Sequence, residues 1–235
     1  MRARLRWLEF MVITMLGMAG CAMPVPAMHD TPAALSYLAL GDSYTIGESV
    51  AADARWPQQL ASALRSRHVP MADPRIIATT GWTTQELNDA IDAAQPLGRY
   101  DFVSMLIGVN DQYRGHPLAD YQRRFAPLLE RAIGFAGGRA DRVLVLSIPD
   151  WGVTRFGRES GRDTAQGARE IDDYNAAARA ICIAHGVSFV DITGVSRQHG
   201  AEPAMLAGDG LHPSATMYAL WTQAALPAAQ RLLAR

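Results

Sequence analysis

The sequence predicts an α/β protein built on a five-stranded parallel sheet. Beyond residue 35, short apolar runs alternate with amphipathic helical patterns, the signature of strands joined by crossover helices. Polar islands follow several of those runs, at the sheet edge where open parallel sheets gather their ligands. The chain has 235 residues, 49% of them apolar, so it fits one domain and can bury a sizeable core without staples.

The apolar runs place strands at Leu35 to Leu40, Arg75 to Thr79, Phe102 to Ile107, Val143 to Ile148 and Val187 to Ile192. Helices are expected near Pro57 to Arg67, Thr84 to Ala94, Leu118 to Ala136 and Gln166 to His185. A last helix runs from Ala215 to Leu233, with Pro227 as a point of bending. Thr83 with Glu86 three residues later reads as a capping box, Gly186 stops the helix before it, and Ser214 can cap the final helix. The glycine-rich, charged stretch from Pro149 to Gln166 is long for a connection in a compact domain. It reads either as a flexible edge over the site or as an ordinary surface loop.

The N-terminus does not belong to this pattern. Arg2, Arg4 and Arg6 precede an apolar stretch from Phe10 to Ala19, broken only by Thr14, which is the layout of a secretory signal and too short to span a bilayer comfortably. Leu16 to Cys21 resembles a bacterial lipoprotein signal, in which small residues precede a Cys that becomes the acylated first residue; Met18 departs from the usual Leu. The expected organisation is a signal peptide over 1–20, an extended linker over 21–34 and one folded domain over 35–235. Lipidation at Cys21 would make the protein a membrane-anchored periplasmic lipoprotein. The alternative is plain secretion to the periplasm or beyond, with cleavage near Ala22 or Ala27.

Charge excludes several classes of partner. The formal net charge is −1 from 22 basic and 23 acidic residues, every basic one an Arg, and no basic cluster stands in the body of the chain. Neither nucleic acid nor an acidic membrane surface is implied, and the only expected membrane contact is the N-terminal anchor. Gly-x-Gly-x-x-Gly, Gly-x-x-x-x-Gly-Lys, His-Glu-x-x-His and Cys-x-x-Cys are all missing, and the histidines at 29, 68, 116, 185 and 199 lack metal-ligand spacing. No metal and no cofactor is expected. Cys182 falls in a helical stripe with Ile171, Tyr174, Ala178 and Ile181, as a buried structural thiol would.

Four islands carry the chemistry: Gly41-Asp42-Ser43-Tyr44, Thr80-Gly81-Trp82, Gly108-Val109-Asn110-Asp111 and Asp209-Gly210-Leu211-His212-Pro213. The first three follow strands one, two and three, so connectivity alone puts them at one edge. Ser43 is a candidate nucleophile, but a hydroxyl needs a base. His212 can serve, with Asp209 three residues earlier holding the other ring nitrogen. Attack on an ester places charge on the carbonyl oxygen, and the backbone N–H of Ser43, the backbone N–H of Gly81 and the side-chain amide of Asn110 are candidate oxyanion donors. Asp111 is expected to cap the turn after the third strand. Trp82, Asp150 and Trp151 are candidates for lining the substrate pocket, with a core or rim role as the alternative. Ser43 is not in a Gly-x-Ser-x-Gly elbow, which argues against the larger α/β-hydrolase fold.

The islands resemble the four blocks of the SGNH hydrolases, the GDSL lipase and esterase family, whose letters correspond to Ser43, Gly81, Asn110 and His212. Tyr44 replaces the Leu of the family's name. Covering about Ser36 to Leu226, the resemblance implies a flavodoxin-like three-layer α/β/α sandwich and metal-free hydrolysis of acyl esters. The expected activity is therefore a carboxylic ester hydrolase working through an acyl-enzyme on Ser43. The substrate would be a small-molecule, glycan or lipid ester, and few hydrophobic residues in the loops lean toward short-chain or O-acetyl esters. A lysophospholipase or thioesterase of the same family is an alternative. So is a non-catalytic envelope protein that binds glycan or lipid in the same cleft.

Overall fold

The computed structural model describes residues 33–234. The expected signal peptide, Cys21 and the Pro24 to Pro32 segment lie outside them. Five strands, β1 (Tyr37–Gly41), β2 (Arg75–Ala78), β3 (Phe102–Leu106), β4 (Val143–Leu146) and β5 (Ser188–Val190), form one parallel sheet in the order β2-β1-β3-β4-β5. Register is continuous across the centre, with Leu38 opposite both Arg75 and Val103, and Met105 opposite Val145. β1, β3 and β4 are buried along their whole length, as central parallel strands covered on both faces must be.

The long helices divide between the two faces. α2 (Trp56–Arg65) packs on α9 (Ala215–Leu233), while α5 (Leu118–Phe135) packs on both α3 (Thr84–Ala93) and α7 (Thr164–Ala184). The result is the three-layer arrangement that the alternation of elements predicts. On α5 the buried residues are Tyr121, Phe125, Leu128, Leu129 and Ala132, an apolar stripe at helical spacing. Opposite it, Trp56 of α2 and Tyr218 and Trp221 of α9 are among the largest fully buried side chains. Burying a large aromatic contributes about 1.5–3 kcal/mol, so these layers hold the sheet edge still beneath the loops.

The expected caps are present. Thr83 and Glu86 form the capping box of α3, Ser214 caps α9, and Gly186 leaves α7 in the left-handed region with φ 69°. α9 continues through Pro227. Cys182 is buried, and burial pushes its thiol up to about 12. No helix among the described residues is long and apolar enough to cross a membrane.

The Pro149 to Gln166 stretch differs from both sequence expectations. It folds into a 3-10 turn at Trp151–Val153 and a short helix, α6 (Arg155–Glu159), before α7 begins at Thr164. Asp150 accepts a bond from the Gly152 N–H (2.9 Å) and the Thr154 hydroxyl accepts one from the Gly157 N–H (3.0 Å), so each turn has its own cap. Three further short helices, α1 (Ser43–Ile46), α4 (Val109–Tyr113) and α8 (Thr193–His199), follow strands β1, β3 and β5.

Candidate active site

The strand order places a topological switch between β1 and β3, where the crossovers depart to opposite faces and leave a crevice. Ser43 leaves β1 on one side of that crevice and Asn110 leaves β3 on the other. A Cβ on Gly41 would lie 2.4 Å from the Leu106 carbonyl oxygen and 2.2 Å from Thr45 Oγ1, so only glycine lets the two strand ends approach this closely. Asp42 caps the turn by accepting the Tyr44 N–H at 3.0 Å. Ser43 then opens α1, and its own N–H belongs to the first-turn donors that no helical carbonyl can use.

Ser43, Gly81, Asn110 and His212 border one cavity of about 140 Å³, walled by Tyr44, Thr80, Val109, Tyr113, Trp151, Phe156 and Leu211. Gly81 lies in the left-handed region with φ 87°, a turn that an L side chain would strain. Asn110 donates through Nδ2 to the Trp82 carbonyl at 2.9 Å; this fixes the amide and leaves its second N–H for another acceptor. Asp111 does not cap its own turn, contrary to expectation. It is fully buried and reaches across to α3, where it accepts the Thr84 N–H (2.8 Å) and hydroxyl (2.9 Å). By that contact α4 holds the Gly81-Trp82 loop in place beside Asn110.

The turn that carries His212 is built by Asp209. Its Oδ1 accepts the N–H groups of Leu211 and His212 at 2.9 Å each, and its Oδ2 stands 2.8 Å from His212 Nδ1. A carboxylate can only accept, so in the neutral ring the proton sits on Nδ1 and leaves Nε2 as the acceptor. Burial works to raise the Asp209 carboxyl, but the Leu211 N–H, the His212 ring and N–H and the Ser49 hydroxyl outweigh it and hold the carboxyl below the ordinary range. Tyr44 packs its ring 5.5 Å from the His212 ring and 5.9 Å from Trp221, bracing the imidazole from the core side. Asp42 behaves in the opposite way. Burial, with Asp111 adding to it against the Tyr44 N–H bond, pushes its carboxyl up to about 8.

The three lining candidates separate. Trp151 borders the cavity, held by its Nε1–H donating to Gln112 Oε1 at 2.9 Å. Trp82 contributes its carbonyl to Asn110 and is not part of the cavity wall. Asp150 is not part of the wall either, because its carboxylate is taken up by the Gly152 N–H and by Arg197 Nε at 2.8 Å. Sequence reasoning missed Tyr113 and Phe156. Tyr113 lies one helical turn after Asn110, the only signal that could have found it; Phe156 sits in a stretch with no periodicity. Phe156 also ties the wall to the turn that carries His212, since its N–H donates to the Gly210 carbonyl at 3.0 Å. Beyond Tyr113 and Trp151 lies a second, polar cavity of about 390 Å³ bordered by Gln112, Arg114, Arg162, Asp163, Gln166 and Glu170. Among the described residues no cluster of His, Cys, Asp and Glu could hold a metal ion.

The profile of the GDSL-like Lipase/Acylhydrolase family matches residues 39–220. No curated protein sequence matches the chain. Solved structures do: the psychrotrophic esterase EstA from Pseudoalteromonas sp., inhibited by monoethylphosphonate, superposes with a TM-score of 0.65 at 15% identity over 85% of this chain and 99% of that one. The lipase/acylhydrolase from Enterococcus faecalis gives 0.61 at 21% identity over 84% and 95%. A catalytic mutant of an acetylxylan esterase from Geobacillus stearothermophilus gives 0.63 at 19% identity over 83% and 94%. Likeness at these identities shows a shared fold.

Proposed function

This chain belongs to the GDSL-like lipase/acylhydrolase family and is an ester-hydrolysing serine enzyme, and on that premise we propose that it cleaves short-chain or O-acetyl esters through an acyl-enzyme on Ser43. The observation that carries the reading is the single cavity bordered by Ser43, Gly81, Asn110 and His212, with Asp209 bonded to the far side of the His212 ring. Ser43 Oγ attacks the ester carbonyl carbon while His212 Nε2 takes its proton. The oxyanion is received by the N–H groups of Ser43 and Gly81 and by Asn110 Nδ2. Collapse breaks the ester bond, and the departing alcohol leaves with the proton from Nε2. Water then attacks the acyl carbonyl, giving its proton to Nε2, and the carboxylic acid departs as Ser43 regains its hydrogen.

The size of the cavity supports a short acyl group. At about 140 Å³ it falls below half the lower bound of about 300 Å³ for drug-sized pockets, and its aromatic walls suit a few carbons. The neighbouring cavity is larger, and its charges balance, with Arg114 and Arg162 against Asp163 and Glu170. It is suited to an uncharged, polar alcohol rather than a second acyl chain, which favours an acetylated glycan over a lysophospholipid. The acetylxylan esterase of the same fold is consistent with that choice. We further propose that the enzyme acts outside the cytoplasm, held by acyl chains on Cys21. Acyl labelling should disappear in a Cys21→Ser variant, and labelling that persists would reject the anchor.

The test of the activity is direct. A fluorophosphonate is expected to modify Ser43 in the folded protein, and p-nitrophenyl acetate and butyrate should be cleaved faster than the octanoate and longer esters. Absence of the adduct at Ser43 would overturn the nucleophile; preference for long chains would overturn the acyl assignment.

A further inference from the structure

We propose that Ser49 is a positioning residue for the hydrolysis, holding the Asp209 carboxylate against His212 from the turn that closes the nucleophile helix. The proposal rests on the triad reading above. Ser49 Oγ donates to Asp209 Oδ2 at 2.7 Å, and the same oxygen faces His212 Nδ1 at 2.8 Å. With the Leu211 and His212 N–H groups on Oδ1, this contact completes the set that fixes the carboxylate in plane and rotation. Asp209 needs that help. Its side chain is 32% exposed, against 9% for His212, so water competes for every lone pair the turn leaves free.

The backbone gives a second, independent reason. Ser49 sits in the left-handed region with φ 64°, where glycine is at home and serine is strained. Among the described residues the other non-glycine residue in that region, His68, only ends the turn after α2. At Ser49 the strain coincides with a contact spanning 160 positions of the chain. A glycine there would relax the turn and forfeit the hydroxyl.

The turn is also anchored to the nucleophile. The Gly47 and Glu48 N–H groups both donate to the Ser43 carbonyl, Glu48 at 3.0 Å, and Gly47 caps α1 with φ 67°. From the next two residues the turn reaches outward in two directions, the Glu48 carboxylate accepting the Thr80 hydroxyl beside Gly81 and the Ser49 hydroxyl going to Asp209. Ser43, the Gly81 loop and the triad carboxylate are thereby referred to one frame. The groups surrounding Asp209 are the His212 ring in its own turn, Tyr44 of α1, Tyr218 of α9 and Arg155 of α6, whose Nη2 reaches the Gly208 carbonyl at 3.2 Å.

Ser49→Gly and Ser49→Ala separate this role from a structural one. Glycine relieves the backbone and alanine keeps the strain, so the alanine variant should melt lower than the glycine variant. If the contact only supports the fold, activity follows stability and the glycine variant keeps it. If the hydroxyl positions Asp209, both variants lose about tenfold in kcat on p-nitrophenyl acetate with KM unchanged. The acid limb of the pH profile, which belongs to the Asp209–His212 pair, then moves to higher pH because the carboxylate has lost a donor. A Ser49→Gly enzyme with wild-type kcat and an unmoved limb, whose Ser43 still takes the fluorophosphonate, overturns the role of Ser49 alone. Wild-type enzyme that takes no label at Ser43 overturns the reading beneath it.

Discussion

The Ser43 turn and the His212 turn meet at one cavity but are built by different means. Asp42 to Thr45 sits on the end of a central strand, with all four residues buried, and its geometry follows from the sheet beneath it. Asp209 to His212 hangs in a loop before α9 and is fixed by short polar contacts: four donors on Asp209, the Ala207 N–H on the His212 carbonyl at 2.7 Å, and the Phe156 N–H on the Gly210 carbonyl. Each turn holds one aspartate, and the two titrate in opposite directions. Burial without a cation favours the neutral form of Asp42, whereas hydrogen bonds at the rim favour the charged form of Asp209. Proximity to the reaction does not by itself decide which carboxylate serves it; solvation and donors do.

The largest test of the contrast lies on the buried side. Ser43→Ala should lower kcat by about 10⁴- to 10⁶-fold with little change in melting temperature, since the frame does not depend on the hydroxyl. Activity within a hundredfold of wild type would remove Ser43 from the chemistry. Asn110→Ala comes next, with an expected loss of about 10²- to 10³-fold in kcat on p-nitrophenyl acetate. A loss that appeared in KM instead would make Asn110 a binding group.

Phe156→Ala probes the seam between the two regions. Removing the ring enlarges the acyl cavity, and the ratio of kcat/KM for hexanoate over acetate should rise about tenfold. An unchanged ratio would take Phe156 out of the acyl wall. The smallest effect concerns Asp42 and is read in stability. Its folded-state pKa of about 8 lies above the ordinary 3.8, so the contribution of Asp42 to stability is fully present below pH 4 and is lost as pH rises toward 8. Asp42→Asn lacks that loss. Between pH 4 and 8 the variant should gain about 1–3 kcal/mol on wild type in denaturant titrations. Parallel pH curves would mean that Asp42 is ionised in place.

The long elements were legible because each spans several periods of its pattern. The five strands and five long helices stand within a few residues of where apolar runs and caps put them, down to the Thr83 and Glu86 capping box. α1, α4, α6 and α8 were not legible. At four to seven residues they complete at most two turns, too short to show a stripe. Ser43, Gly81, Asn110, Asp209 and His212 could be proposed from local composition because strand order brings their islands to one edge. Phe156, Trp151's tie to Gln112 and the reach of Ser49 to Asp209 depend on contacts between distant segments, which no local pattern encodes.

The bond from the Phe156 N–H to the Gly210 carbonyl constrains how this enzyme could be redesigned. On the proposed mechanism, one residue presents its ring to the acyl group and its backbone to the loop that carries the base. Any insertion or deletion near α6 that reshapes the acyl wall must also shift the platform under His212. The same mechanism couples chain-length preference to turnover, so variants selected for longer substrates should need a compensating change in the 207–213 loop before they regain speed.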